Sequence, residues 1–519
     1  MSWRRVVWAS AAFSVVARYP ELFWPVRPDE AGFTLVARAW HPMPDSLYGT
    51  HFVDRPPSLI ALVRLSDWLG GPLFLRVLGA LACAALVLTS AACARAICRY
   101  VGHPGAQADR VAAIAAMVAA GLVGNAAIDP TAAKGEILGI PLVMLSCWLA
   151  LRALESRSAR WAAVAGFAAV LALGLKQNMA GGLVFGGVLL VGSLLIGRVD
   201  GRTFARLATG AAAGVAVPVL ATVGWALVAG VHLGEVWFTI YGFRGAASHL
   251  LAMDQSPSLD ARKHHLVTIA VQCGLALLIG WLLLNLVPLL RRQPVLTLAT
   301  LATLALDAAG VVLSGSYWAT YLFVLIPSVV IGFVLCLTCS ERAEHARPFV
   351  RRWRTGLSAA LAAYVAVASV VSLVSWGRAE VGSDHPGHAV YVGIAIRDVS
   401  RPGDSIMVYG GRADVVMASG LDAPYEHLWS LPMRTLDPDL SELRSTMTGQ
   451  DRPTWFVEWL GLNSWTGQGE RAIAPVLARE YAYAGEVCGK RVYRLRSAPR
   501  TDPTFDCTKP YTWADRGTS

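Results

Sequence analysis

The sequence predicts a polytopic α-helical membrane protein with about eleven spans and a C-terminal α/β domain. Three observations carry that reading. The chain has 519 residues, of which 55% are hydrophobic and only 15% charged, and its mean hydropathy is +0.49. Apolar runs near the roughly 20 residues that cross a bilayer recur along most of it. From about residue 377 the composition changes, and short strand-like stretches replace the long apolar runs.

The expected spans are 5–23, 72–98, 110–128, 136–153, 161–176, 180–197, 207–230, 266–290, 295–313, 320–339 and 355–376. The first is short and contains Arg18. The net charge of +10 would suggest nucleic acid in a soluble domain. Here the arginines sit in short turns between apolar runs, so no nucleic acid is expected and the charge sets orientation. With the N-terminus inside, alternate turns carry Arg4 and Arg5; Arg99 and Arg110; Arg152, Arg157 and Arg160; Arg198, Arg202 and Arg206; Arg291 and Arg292; and Arg342, Arg347, Arg351, Arg352 and Arg354. The intervening turns are poorer in positive charge. An odd number of spans then places the C-terminal region outside the cytoplasm. The first apolar run has no convincing small-residue cleavage site, so it reads as a span and not as a cleaved signal peptide.

The chain divides into a membrane part, 1–376, and an extracytoplasmic domain, 377–519. Two outer loops are long, about 24–71 and about 231–265. The first holds two amphipathic, interface-type helical segments. Phe33, Val36, Ala37 and Trp40 mark one; the other opens at Pro56-Pro57 and runs through Leu59, Leu62, Val63 and Leu65. In the outer domain, Asp404–Tyr409 and Thr454–Trp459 read as buried strands and Arg471–Glu480 as a helix. Tyr483–Val487 and Arg491–Leu495 read as a hairpin. Seven cysteines (Cys83, Cys93, Cys98, Cys147, Cys273, Cys336, Cys339) lie in or beside apolar spans, as small buried hydrophobes do. Cys488 and Cys507 fall in the outer domain, where a disulfide is permitted.

The first outer loop concentrates the chemistry. Asp29 and Glu30 follow the first span, and Asp54-Arg55-Pro56-Pro57 stands some two dozen residues on. Acids are also favoured at any helix N-terminus, and Asp-Arg-Pro-Pro can be a plain turn. Together, at one membrane surface, ionisable groups of both signs point to function. Further candidates are Asp129 and Glu136 on a short outer turn, Lys176 at the end of a span, and Arg244, Arg262, Lys263, His264 and His265 in the second long loop. The simpler reading of that second set is a basic rim on lipid headgroups, and Lys176 can merely snorkel. Adjacent histidines rarely chelate one ion, so no metal ligand is assigned. Trp429, Trp455, Trp459, Trp465 and Trp513 offer faces for sugars, but Trp455 and Trp459 flank strand cores and read as packing.

An acidic pair after the first span followed by Asp-Arg-Pro-Pro before the second resembles the polyprenyl-phosphate-sugar glycosyltransferases of structural class C. Within that class it is similar to the protein O-mannosyltransferase and aminoarabinose-transferase branch and to bacterial glycosyltransferase family 39. Asp129-Pro130, Gly135-Glu136-Ile137-Leu138, Lys176-Gln177-Asn178 and Gly315-Ser316-Tyr317-Trp318 add to the resemblance, which covers about residues 1–376. Relatives often carry His-Tyr where this chain has Thr320-Tyr321. The resemblance implies a mannose- or arabinose-type donor on a polyprenyl monophosphate and an acceptor in the cell envelope, whether glycan, lipid or protein. It implies that Asp29 acts as base on the acceptor hydroxyl and that Arg55 holds the donor phosphate; Glu30, beside Asp29, is the second catalytic candidate. By their charge and position, Lys176, Arg244, Arg262, His264 and His265 are candidates to bind the donor phosphate with Arg55, and Asp54, Asp129, Glu136 and Tyr317 are candidates to line the acceptor cavity. No cofactor is implied.

The chemistry is consistent on its own terms. A leaving phosphate needs no general acid, unlike the leaving alkoxide of a glycosidase, which requires two carboxylates. One base for the acceptor hydroxyl and cations for the phosphate suffice, and single displacement inverts the anomeric centre. A lipid-linked sugar flippase would use the same cations without needing Asp29. A catalytically inert glycan-binding scaffold would need neither.

Overall fold

The computed structural model describes residues 2–103, 105–131, 133–253, 257–341, 348–381, 387–464, 467–509 and 511. Arg342 and Arg347 of the orientation pattern, the Arg351 side chain, and Trp465 and Trp513 lie outside the described residues. The membrane part begins with α1 (Trp3–Val16), α2 (Pro28–Arg38), α3 (Pro57–Tyr100), α4 (Ala106–Val123) and α5 (Gly135–Ser156). It continues with α6 (Ala159–Leu175), α7 (Gly181–Leu195), α8 (Gly201–Val228), α9 (Leu233–Trp237), α10 (Phe243–Ala252) and α11 (Pro257–Gln272). The rest is α12 (Leu275–Leu284), α13 (Leu286–Arg292), α14 (Pro294–Leu313), α15 (Ile326–Glu341) and α16 (Pro348–Val381).

Among the described residues, seven helices are long and apolar enough to cross a membrane: α3, α4, α5, α8, α14, Ala319–Cys339 and the Arg352–Ala379 part of α16. Three other expected stretches coincide with the shorter helices α1, α6 and α7. The expected span 266–290 is instead broken: α11 and α12 meet at 69° around Gly274, whose φ of 85° few other residues adopt. The segment Ala319–Cys339 is wholly enclosed by its neighbours, whereas α8 is mostly on the outside. Continuous apolar sequence on a buried helix and on a lipid-facing one looks the same, so this difference emerges only in three dimensions.

The arginine-rich turns gather at one end of the bundle. Arg99 pairs with Glu155 at 2.7 Å, Arg198 donates to the Tyr100 carbonyl at 3.0 Å, Arg292 donates to the Cys339 carbonyl at 2.9 Å, and Arg206 reaches the Arg157 carbonyl. The other end of α3 holds the first long loop. There the helix opening at Pro57 runs to Leu69, with Leu65, Trp68 and Leu69 exposed. Gly70 and Gly71, at φ 149° and 67°, then turn the chain into the span proper at Pro72. The second long loop, for which the sequence suggested no elements, folds as α9, α10 and the start of α11.

The C-terminal domain adds α17 (His388–Val399), β1 (Ile406–Tyr409), α18 (Ala413–Ser419), α19 (Ser430–Leu436), α20 (Ser441–Thr448), β2 (Trp455–Glu458), α21 (Gln468–Ala472), α22 (Ala474–Glu480), β3 (Tyr481–Val487) and β4 (Lys490–Leu495). The sheet order is β1-β2-β4-β3, with β1 and β2 parallel and the other pairs antiparallel. Ile406 pairs with Trp455 and Val408 with Val457. These residues face a core shared with α17, α18 and, across the domain junction, Ala31, Phe33, Val36 and Ala37 of α2. Met407, Tyr409 and Phe456 point to the other side, against Leu443, Val476 and Leu477. Both faces are covered, which is why the strands read as unbroken apolar runs. The expected helix Arg471–Glu480 is two short ones, α21 and α22.

Cys488 and Cys507 are bonded, with their Cα atoms 5.5 Å apart, tying the tail to the β3–β4 turn. The bond closes a segment of sequence separation 19. Reduction is expected to lower the stability of this domain by about 3 kcal/mol, read as a lower unfolding midpoint for the purified protein with reductant than without.

Candidate active site

The centre is built where α2 begins. Pro28 supplies the fixed φ of a first helical position, and Asp29 and Glu30 occupy the first turn, where exposed amide groups favour negative charge. Their side chains part company. Asp29 is about a quarter exposed; its Oδ2 lies 2.8 Å from Lys134 Nζ, and its Oδ1 accepts from Trp429 Nε1 at 3.1 Å. Glu30 is fully buried. It makes two bonds with Arg76, at 2.6 and 3.0 Å, and accepts from the Arg27 amide at 3.1 Å. Arg76 also donates to the carbonyls of Glu21, Trp24 and Pro25. Glu30, expected beside Asp29 as a catalytic acid, is thus placed in a buried ion pair that fixes the entry to α2.

Around Asp29 the charges alternate. Arg55 Nη1 lies 2.8 Å from Asp54 Oδ1, and its guanidinium stands over the Phe33 ring, 5.6 Å from the centroid. Arg244, on α10, pairs with the other Asp54 oxygen. Gln177 Nε2 donates to the Asp54 carbonyl at 3.0 Å. Lys176 Nζ lies 2.5 Å from Glu136 and 4.1 Å from the Tyr321 ring centroid. Nearby polar atoms have no partner among the described residues: Gln177 Oε1, Asn178 Oδ1 and Thr320 Oγ1 are shielded from solvent and unpaired.

The electrostatics bind these groups into one cluster. Burial by itself would raise the Asp29 carboxyl. The Lys134 ammonium, helped by Arg55 and the Trp429 donor, outweighs burial and holds it well below the usual carboxylate range. Burial would likewise lower Lys134 and Arg55. Asp29, Asp129 and Glu136 hold Lys134 above its ordinary value, and Asp54, Asp29 and Glu136 do the same for Arg55. Asp129 sits behind Lys134. Its Oδ1 accepts from the Thr131 amide and hydroxyl at 2.8 and 3.1 Å, and its carbonyl accepts from Arg18 at 2.6 Å. Although burial raises Asp129, Lys134, Arg27 and Arg18 outweigh it, and its carboxyl too lies below the ordinary range.

The structure thus brings together Asp29, Asp54, Arg55, Asp129, Glu136, Lys176 and Arg244. The candidates on α11 and Tyr317 have these other contacts among the described residues. Arg262 donates to the Ser316 carbonyl at 3.2 Å and lies over the Trp318 ring, and Lys263 stands 5.4 Å from the Tyr317 ring. His264 is exposed and bonded to the Asp260 carbonyl at 2.8 Å, and His265 is exposed on the same helix. These contacts hold the start of α11 against the turn before Thr320. His264 and His265 make none to Asp29, Arg55 or Lys176 among the described residues.

Two residues of the centre escaped the sequence reading. Lys134 immediately precedes Gly135-Glu136, in the same turn as Asp129, and the signal for it was its place among the acids of that turn. Trp429 approaches from 400 residues away in sequence, and only its residue type hinted at it. Its indole lies against α2 at Gly32, one turn beyond Asp29, where any Cβ would collide with the ring. Glycine costs about 1 kcal/mol relative to alanine inside a helix, and here that cost lets the indole reach the carboxylate.

No protein-family model and no curated protein matches the sequence. Solved structures do share its fold. ArnT from Cupriavidus metallidurans, in the apo state, is 15% identical over 94% of this chain and 97% of its own, with a TM-score of 0.58. The same protein bound to undecaprenyl phosphate gives 14% identity, the same two coverages and a TM-score of 0.55. The polytopic helical bundle with its appended C-terminal domain is therefore an ArnT-like fold.

Proposed function

We propose that the protein is a membrane glycosyltransferase that moves a sugar from a polyprenyl monophosphate to a cell-envelope acceptor. The observation that carries this reading is a single carboxylate, Asp29, held between a lysine and a tryptophan and electrostatically linked to Arg55. One base beside a bank of cations is what an inverting displacement on a lipid phosphate-sugar requires. The likeness to ArnT, a protein captured with undecaprenyl phosphate, supports the donor class. A mannose- or arabinose-type sugar follows from the sequence resemblance, and the arginine pattern of the turns supports an extracytoplasmic C-terminal domain.

In this reading the acceptor hydroxyl gives its proton to Asp29 as its oxygen attacks the anomeric carbon. The bond from that carbon to the phosphate oxygen breaks, and the polyprenyl phosphate leaves with an added negative charge. Arg55, Lys134, Lys176 and Arg244 are the cations that would receive that charge. Each is paired with a carboxylate in the structure, so phosphate entry exchanges partners and does not bury new unpaired charge. A carboxyl held as low as that of Asp29 is a weak base. A shift of Lys134 from Asp29 to the phosphate would raise it when the donor is bound.

Two expectations follow. Arg55→Ala should weaken donor binding by about 1.5–3 kcal/mol, roughly 10- to 150-fold, measured with polyprenyl phosphate on protein in nanodiscs. Unchanged affinity would remove Arg55 from the phosphate site. Lys134→Met should change the shape of the pH profile. In the donor-free protein the wild-type carboxyl stays ionised from mildly acidic to neutral pH, so kcat/KM carries no acidic limb from Asp29 there. Without Lys134, burial dominates and raises the carboxyl. The kcat/KM of the variant should then fall with decreasing pH across a range where that of the wild type is flat.

A further inference from the structure

The C-terminal domain carries a second cluster of ligand-type side chains. Glu426, His427 and Glu442 each offer one donor atom, and these atoms all lie within 4.8 Å of one another. His427 is only 3% exposed, and neither of its ring nitrogens has a hydrogen-bond partner among the described residues. Its Nε2 is 3.6 Å from Glu442 Oε2, beyond hydrogen-bond reach. An imidazole buried with both nitrogens unpaired is costly unless something else occupies the site. The ring is held rather than free to turn outward: Tyr425 and Phe52 stand edge-on to it, at 5.1 and 6.3 Å between centroids.

The charge balance points the same way. Among the described residues no lysine or arginine pairs with Glu426 or Glu442, and Glu235 adds a further negative charge beside Glu426. Glu426 and His427 are adjacent, which alone would argue against a chelate. The third donor comes from α20, whose position relative to them is set by Asp437. One Asp437 oxygen accepts from the Tyr425 hydroxyl and from the Leu443 amide, both at 2.9 Å, and the other accepts from the Glu442 amide at 3.1 Å.

We propose that Glu426, His427 and Glu442 bind a divalent transition-metal cation of the zinc class, through one imidazole nitrogen and two carboxylate oxygens, with a further position open. The ion would pin the segment 425–429 to α20. Two neighbours give that consequence its reach. The Phe52 amide donates to the Glu426 carbonyl at 3.2 Å, two residues before Asp54, and Trp429 lies two residues after His427 with its indole on Asp29. The cation site would therefore stiffen the junction between the two parts of the chain without touching the carboxylate centre.

The test uses untagged full-length protein in detergent, stripped with a chelator and titrated with Zn2+ alone by calorimetry, with bound metal counted after gel filtration. One Zn2+ per chain is expected. His427→Ala and Glu442→Gln should each weaken binding by about 100-fold or more, and a His264→Ala/His265→Ala double variant should bind as wild type. Co2+ in place of Zn2+ should give visible absorption bands that vanish in His427→Ala. Should that variant fail to fold, Glu442→Gln alters a half-exposed side chain and carries the test. No stoichiometric Zn2+ in the wild type, unchanged affinity in both ligand variants, or loss of binding only in the α11 double variant would each overturn the proposal. None of these readouts involves sugar transfer, so the site stands or falls separately from the proposed activity.

Discussion

Asp29→Asn is expected to lower the rate of sugar transfer by about 10²- to 10⁴-fold, the usual contribution of a positioned general base. The substitution is nearly isosteric, and the asparagine oxygen can still accept from Trp429 Nε1. The loss should therefore appear in kcat, with donor affinity and thermal unfolding close to wild type. One change is unavoidable, since Lys134 loses its partner at 2.8 Å. That lysine retains Asp129 and Glu136 nearby, both of which already contribute to holding its ammonium charged. The measurement is acceptor-dependent release of polyprenyl phosphate from protein in nanodiscs, beside donor binding on the same sample. Full transfer by Asp29→Asn would remove the base assignment and favour a flippase, which needs the cations but not the acid. Translocation of intact donor between leaflets, unaffected by the substitution, would be the positive sign of that alternative.

The parts of this centre that could be read from sequence are those with a local cause. An apolar run long enough to cross a bilayer declares itself, so the positions of the spans were legible. The break at Gly274 was not, because a glycine within an apolar run marks either a kink or a mere gap in packing. Asp29, Asp54 and Arg55 stood out because ionisable groups beside a membrane surface need a reason. Lys134 needed the same reasoning applied to one more residue of an acidic turn. Trp429 had no such signal. Its contact depends on how the C-terminal domain seats on α2, through a core in which Phe33 and Val36 pack with Val408 and Trp455. The same seating makes the C-terminal domain part of the centre. The second long loop shows the opposite failure: its basic residues looked like one group, yet Arg244 joins Asp54 while His264 and His265 stay on the rim of α11.

Glu30→Gln is expected to cost about 3–5 kcal/mol of stability, because it leaves the Arg76 guanidinium buried without its counter-ion. The two side chains are essentially inaccessible, at 2% for Arg76 and 0% for Glu30. Arg76 lies inside a span, where an unpaired charge is least tolerated. A glutamine keeps the shape and one acceptor, so the effect isolates the charge. Combining it with Arg76→Met should recover only part of the loss. The guanidinium also serves the carbonyls of Glu21, Trp24 and Pro25, and these would then lack a donor. The measurement is the unfolding midpoint of detergent-purified protein, with the yield of folded material as a second readout. Neighbouring acids in one helical turn should therefore fail in opposite ways. Asp29→Asn removes turnover from a protein that melts as before. Glu30→Gln removes the protein, and whatever remains folded should retain turnover in proportion to its amount. A Glu30→Gln variant that melts like wild type but no longer transfers would return Glu30 to the chemistry and show that the Arg76 pair is dispensable for holding α2 in place.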